Sequence, residues 1–309
     1  MRQPQVESQT GLPSSVTVYE VGPRDGLQNE PATVPTGVKV EFIERLVAAG
    51  LPVIEITSFV HPGRVPQLAD ANEVVHRIDP AGPVAMPVLV PNDRGLDRAL
   101  AAGVRAVAIF GSATDGFARE NLNRSLDEQF TMFEPTVRRA RDHGLDVRAY
   151  VSMCFGDPWE GDVPVAQVVD IGRRLFDLGA SQLSIGDSIG VATPGHVRRL
   201  LAHFAAAGLG VDRLAVHFHD TYGQALANAY AALEMGVRTF DASAGGLGGC
   251  PFAPGATGNL ATEDLVWMLD GLGIETGVDL ASLVETSRWM AGLLRRPPAS
   301  RVVRALAAS

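Results

Sequence analysis

Residues 214–220 read Leu214-Ala215-Val216-His217-Phe218-His219-Asp220, an apolar run that closes on two histidines spaced two apart. Side chains in a strand alternate faces, so residues i and i+2 point the same way. His217 and His219 therefore aim two imidazoles at one point at the end of a buried strand. Two convergent neutral imidazoles are half a metal site. Most isolated His-x-His pairs are simply hydrogen-bonded histidines, so the rest of the chain has to supply further ligands.

Outward from this strand, apolar strand-like runs alternate with helical patterns along the chain. Strands are expected at 16–21, 53–57, 84–88, 106–110, 147–151, 182–185, 214–218 and 239–242. Helices are expected at 36–49, 67–78, 93–102, 125–143, 164–178, 194–207, 224–235 and 262–272. In the first helix Thr36 is placed to cap the start, Phe42, Leu46 and Ala49 share a face, and Gly50 ends it. Gly103, Gly144, Gly179, Gly208 and Gly236 repeat that stop signal. Eight strand-then-helix units with short connections predict an α/β fold, a (β/α)8 TIM barrel, with an additional C-terminal helix over 280–294. A doubly wound open sheet is the alternative, and eight regular units favour closure. Residues 1–15 read as a flexible N-terminal segment, 16–295 as the barrel domain and 296–309 as an Arg/Pro-rich tail. No stretch reads as a linker to a second domain.

Composition narrows the function classes. The 309 residues are 46% hydrophobic with 33 glycines and a net charge of −9, which argues against a broad nucleic-acid surface. No apolar run approaches the length of a membrane span, and the polar start is neither a secretory signal nor a transit peptide. Only Cys154 and Cys250 are present, which excludes a disulfide framework and suggests the reducing cytoplasm. Lys39 is the only lysine, so Schiff-base or carbamylated-lysine chemistry would rest on it, and it falls within the first helix, away from every motif.

Active sites of such barrels occupy the C-terminal strand ends. Arg24 and Asp25 follow strand 1 in GPRDGLQNE (22–30), Glu55 and Ser58 close strand 2, and Asp187 follows strand 6 in SIGDSIG. His217 and His219 close strand 7, and the glycine-rich GGLGGCPFAPGATGN (245–259) follows strand 8. Singly, each polar residue has an ordinary structural reading. Their joint placement at one end of the barrel does not.

The segments VGPRDGLQNE, IEITSFVHPGRVPQLAD, GDSIGVATPG, HFHDTYGQALAN and GLGGCPFAPGATGNLATEDLVWMLDGLGIETGVDL closely resemble the 3-hydroxy-3-methylglutaryl-CoA (HMG-CoA) lyase family, over about residues 16–295. The resemblance implies a metal-dependent lyase that takes an acyl-CoA substrate to acetyl-CoA and a 3-keto acid, as in leucine degradation and ketone-body formation. It implies metal ligands at Asp25, His217, His219 and Asn259, a catalytic arginine at Arg24 and a mobile-loop cysteine at Cys250, with Glu55 and Asp187 at functional acidic positions. It also implies a homodimer or higher homo-oligomer. Two imidazoles, a carboxylate and an amide oxygen, without thiolate, suit Mg2+ or Mn2+. Arg24 suits a thioester enolate oxygen because guanidinium stays charged and donates in a fixed fork. Asp25 is placed to take the hydroxyl proton, and His217 or Cys250 to reprotonate the leaving carbon. Cys154 reads as structural.

The chain departs from the family at Pro31, where lysine is usual, at His61, Gly63 and Arg64, and at Met153 and Asp157. These changes bear on acyl specificity and CoA phosphate contacts, for which Arg64, Arg124, Arg295 and Arg296 are candidate replacements. A Claisen-condensing synthase of the same barrel type is the rival enzyme, although those usually carry a further C-terminal domain. A biotin-dependent carboxyltransferase would need a barrel lysine, and a metal-binding barrel without turnover would have little reason to keep every ligand, the arginine and the loop cysteine.

Overall fold

The computed structural model describes residues 3–78, 80, 82–249 and 258–307. Among these, short runs rich in β-branched residues form nine parallel strands: β1 (Thr17–Glu20), β2 (Val53–Ile54), β3 (Thr57–Ser58), β4 (Val88–Leu89), β5 (Ala106–Ser112), β6 (Asp146–Ser152), β7 (Gln182–Asp187), β8 (Leu214–Phe218) and β9 (Thr239–Ala242). The order is β2-β1-β9-β8-β7-β6-β5-β4-β3. β2 and β3 are two halves of one extended stretch interrupted at Glu55-Ile56. Across it the Glu55 amide donates to the Glu20 carbonyl (2.8 Å), while those of Ile54 and Ile56 donate to Ala85 (2.9 Å) and Pro87 (3.1 Å). The sheet thus closes on itself as the expected eight-stranded barrel.

Around it lie α1 (Thr36–Ala48), α2 (Ala71–Arg77), α3 (Asp93–Ala101), α4 (Asp115–Leu122), α5 (Leu126–Asp142), α6 (Val165–Leu178), α7 (Pro194–Ala206), α8 (Ala225–Glu234), α9 (Thr262–Gly271), α10 (Leu280–Leu294) and α11 (Arg301–Ala307). Gly50, Gly103, Gly144, Gly179, Gly208 and Gly236, the six expected helix stops, all have positive φ, between 74° and 115°. On β6 the period of two is plain. Val147, Ala149 and Val151 join the apolar cluster, which also takes in helix residues such as Phe133 and Leu175, whereas Tyr150 packs with Leu89 and Ala108 in a separate small cluster.

Four expectations need correction. The strand at 84–88 narrows to Val88–Leu89, because Pro87 has no N–H to give a ladder. Thr36 does not cap α1; its hydroxyl donates to Asp70 Oδ2 at 2.8 Å instead. α4 lies where the sequence showed no helix pattern, in the polar stretch DGFARENL. The 296–309 tail contains α11, fixed by Ser300 Oγ to Asp264 Oδ1 (2.7 Å) and by the buried Val303. Just before it, the Ala299 amide donates to the Gly245 carbonyl at 2.9 Å, at the start of the glycine-rich stretch. At the other end of the chain, Glu7 N donates to Gly271 O (2.8 Å) and Glu275 N to Ser14 O (2.9 Å), so the first segment is hydrogen-bonded to the barrel.

Candidate active site

Beyond β1 the backbone makes one turn of π-helix, Gly22–Gly26, in which the amides of Asp25 and Gly26 share the Val21 carbonyl at 2.8 and 3.1 Å. A Cβ at Gly22 would lie 2.6 Å from Glu20 Oε1, so any larger residue there must displace that buried carboxylate, which accepts from the Gly22 and Ala244 amides. The turn directs Arg24 and Asp25 together into the barrel mouth. Arg24 is buried; its Nη1 donates to Asp25 Oδ1 at 2.7 Å and its Nε to Glu55 Oε1. Glu55 is fully buried at the break between β2 and β3 and also accepts from Tyr19 (3.1 Å) and Tyr150 (2.7 Å). Three donors on one carboxylate hold the guanidinium rigidly, with Tyr150 beneath it at 5.3 Å.

Facing this pair, His217 is the last residue but one of β8, which ends at Phe218, and His219 follows directly. The ligand atoms of Asp25, His217 and His219 all lie within 4.8 Å of one another. His217 Nδ1 is 3.2 Å from Asp241 Oδ2, and that carboxylate is held by Arg148 (3.2 and 2.5 Å) and by the Ser184 hydroxyl (2.7 Å). A carboxylate on Nδ1 fixes the tautomer with Nε2 as the free lone pair. Asn259 lies beside His219 through a backbone bridge between the two residues. Its amide nitrogen donates to Asp25 Oδ2 (2.8 Å) and to the Leu247 carbonyl (3.0 Å), which settles which way the amide points. The remaining atom, Asn259 Oδ1, is buried without a hydrogen-bond partner among the described residues.

An orphaned buried acceptor is costly unless something positive meets it. Together with a carboxylate and two imidazoles it makes a donor set that fits a hard divalent cation. Electrostatics agree. Burial alone would raise the Asp25 carboxyl, but Arg24, His217, His219 and the Asn259 hydrogen bond outweigh it and bring the pKa down to about 2. Asp25 is thus ionised throughout the physiological range.

The remaining predicted residues fall as follows. Asp187 lies behind the histidines, its two oxygens accepting from the amides of Val191 (3.0 Å) and Ala192 (2.9 Å), and burial pushes it up to about 6. Ser58 is buried, its hydroxyl donating to the Leu89 carbonyl at 3.3 Å. Cys154 is buried with its thiol on the Val151 carbonyl, and burial pushes that thiol up. Cys250 lies outside the described residues. Lys39 sits on α1, bonded to Asp70 (2.7 Å) and to the Gln67 carbonyl, away from the barrel mouth.

Asp25, His217 and His219 face a cavity of about 630 Å³. Arg24, Asp25, His217 and His219 line it together with Tyr150, and Arg64 and Arg124 line it as well. Arg296 instead pairs with Glu30, and Arg295 closes α10 in the left-handed conformation at φ 54°. Sequence reasoning missed Asp241, Arg148 and Tyr150. The signal was available: charged and phenolic side chains at alternate positions of strands whose other residues are apolar.

A family model described as HMGL-like matches residues 15–290. The chain is 48% identical over 305 residues to the mitochondrial hydroxymethylglutaryl-CoA lyase of Rattus norvegicus, covering 99% of this chain and 94% of that protein. The crystal structure of hydroxymethylglutaryl-CoA lyase from Pseudomonas aeruginosa superposes with a TM-score of 0.94 at 45% identity, over 97% of this chain and 99% of that one. An HMG-CoA lyase from Acinetobacter baumannii, solved in complex with coenzyme A and 3-methylmalate, superposes with a TM-score of 0.90 at 36% identity, over 97% of each chain. Curated relatives include both mitochondrial and cytoplasmic forms. Among the described residues no helix is long and apolar enough to cross a membrane.

Proposed function

This chain belongs to the HMGL-like family, and from that premise we propose that it is a divalent-metal-dependent lyase cleaving (S)-3-hydroxy-3-methylglutaryl-CoA to acetyl-CoA and acetoacetate. Near-full-length similarity to HMG-CoA lyases supports the reaction. The observation that carries the chemistry is Asn259 Oδ1, a buried acceptor beside Asp25, His217 and His219 with no hydrogen-bond partner among the described residues.

Asp25, His217, His219 and Asn259 would hold Mg2+ or Mn2+. When bound, such a cation acidifies the substrate's C3 hydroxyl and fixes it beside a second substrate oxygen. Loss of the hydroxyl proton turns C3 into the ketone of acetoacetate. The C2–C3 bond breaks, its electron pair enters the thioester as an enolate, and a proton added at C2 completes acetyl-CoA. Arg24 is the group for the enolate oxygen: it is charged, buried and held by Glu55, so it needs no reorganisation as charge develops. Asp25, His217 and, by the family pattern, Cys250 would move the protons. The low pKa of Asp25 supports its role as a ligand and makes it a weak base. Asp187 acts behind them by holding the 188–192 loop.

A carboxyltransferase finds no support here, since Lys39 is committed to Asp70 and Gln67. Placement in the cytoplasm and assembly as a homodimer or higher homo-oligomer are further parts of the proposal, the first resting on the two-cysteine composition. The test is product analysis: with Mg2+ or Mn2+, HMG-CoA should yield equimolar acetyl-CoA and acetoacetate. Condensation of acetyl-CoA with a 2-oxo acid, without HMG-CoA cleavage, would transfer the chain to the synthase class.

A further inference from the structure

We infer that Arg64 and Arg124 form the phosphate-binding rim of the acyl-CoA site, an inference that rests on the acyl-CoA reading above. The cavity has two ends of different character. Arg24, His217 and His219 at its inner end are buried, whereas Arg64 and Arg124 on its lining are exposed to solvent. A ligand whose reacting carbons meet Arg24 and the metal ligands must run outward from there. A cavity of about 630 Å³ takes the acyl group and part of the pantetheine arm, so the phosphates reach the solvent-facing end. Asn29, Asn92 and Asn121 lie along the lining and offer amide partners for that arm.

The two arginines come from separate loops. Arg64 follows β3 just before the Pro66–Leu68 turn, and Arg124 follows α4 directly after Asn123, whose left-handed backbone (φ 54°) ends the helix. Neither guanidinium is in an ion pair among the described residues; that of Arg124 donates only to the Asn123 carbonyl at 2.8 Å. By contrast Arg119, one turn earlier on α4, is held by Asp115, and Arg296 is held by Glu30. In a chain of net charge −9, a polyanion needs local positive charge. Arg24, Arg64 and Arg124 are the arginines on the cavity wall, and Arg24 is already committed to Glu55 and Asp25. Arginine forks match phosphate oxygens in pairs.

Two readouts test this on the whole chain. Calorimetric titration with free coenzyme A and with pantetheine, which lacks the phosphates, needs no catalysis. Arg64→Ala and Arg124→Ala should each raise the Kd for coenzyme A by about tenfold, leave that for pantetheine unchanged, and be partly rescued by lysine. In turnover, KM for HMG-CoA should rise with kcat within about twofold. An unchanged coenzyme A Kd in the double variant would overturn the inference, as would an equal loss for pantetheine. Failure of the lyase reading shows separately, as wild-type protein that binds coenzyme A and cleaves no HMG-CoA.

Discussion

His217 Nδ1 lies 3.2 Å from Asp241 Oδ2, and Asp241 in turn neutralises the buried Arg148. The His217 imidazole is therefore aimed from inside the barrel by a charge pair that links it to β6 and β9. Asp241→Asn keeps an acceptor for His217 and removes the charge. It should weaken divalent-metal binding by about 10- to 100-fold, as loss of such outer partners does elsewhere. Asp241→Ala should also cost about 3–5 kcal/mol of stability by stranding Arg148. Metal titration alongside thermal unfolding separates the two effects, and unchanged metal affinity in both variants would remove Asp241 from the site.

Gly248 packs against Asn259 of the same cluster. It has φ 121°, and a Cβ on it would lie 2.5 Å from Asn259 Nδ2. Gly248→Ala must displace the amide that donates to Asp25 and Leu247, and it strains the backbone by about 1–3 kcal/mol. The expected result is at least tenfold weaker Mn2+ binding in a protein that still folds. Mn2+ titration followed by magnetic resonance reads this directly.

Stability should carry a pH signature from two buried carboxyls that accept from the backbone amides of Ala244 and Gly245. Glu20 accepts from the amides of Gly22 and Ala244 and from Thr262, and Glu263 accepts from the Gly245 amide and from Ser287. Burial pushes both up from 4.5 to about 7. Between those values the folded state binds more protons than the unfolded one, so stability falls as pH rises. The contribution is whole below about pH 4.5 and lost above about 7, on the order of 3 kcal/mol per group. Glu20→Gln should flatten the decline of Tm across that window; an identical slope would show that Glu20 does not carry it.

How much of this could be read in advance follows from local signals. The barrel, the helix stops and the convergence of Arg24, Asp25, His217 and His219 rest on period, glycine placement and strand-end position, all local properties. β4 went wrong because Pro87 sits inside an apolar run that otherwise reads as a strand. α4 and α11 are short and depend on tertiary contacts such as Ser300 with Asp264. The links from His217 to Asp241 to Arg148 and from Arg24 to Glu55 to Tyr150 cross between strands, so periodicity along any one strand could not pair them. Arg64 and Arg124 were legible as candidates, and only the fold set them apart from Arg295 and Arg296.

The central claim is that Asp25, His217, His219 and Asn259 hold the divalent cation on which cleavage depends. Its most direct test is HMG-CoA turnover after exhaustive chelation, with Mg2+ or Mn2+ then added back. Activity should fall to background and return with the cation in wild-type protein, and return poorly in Asn259→Ala. Full turnover in rigorously metal-free protein would contradict it.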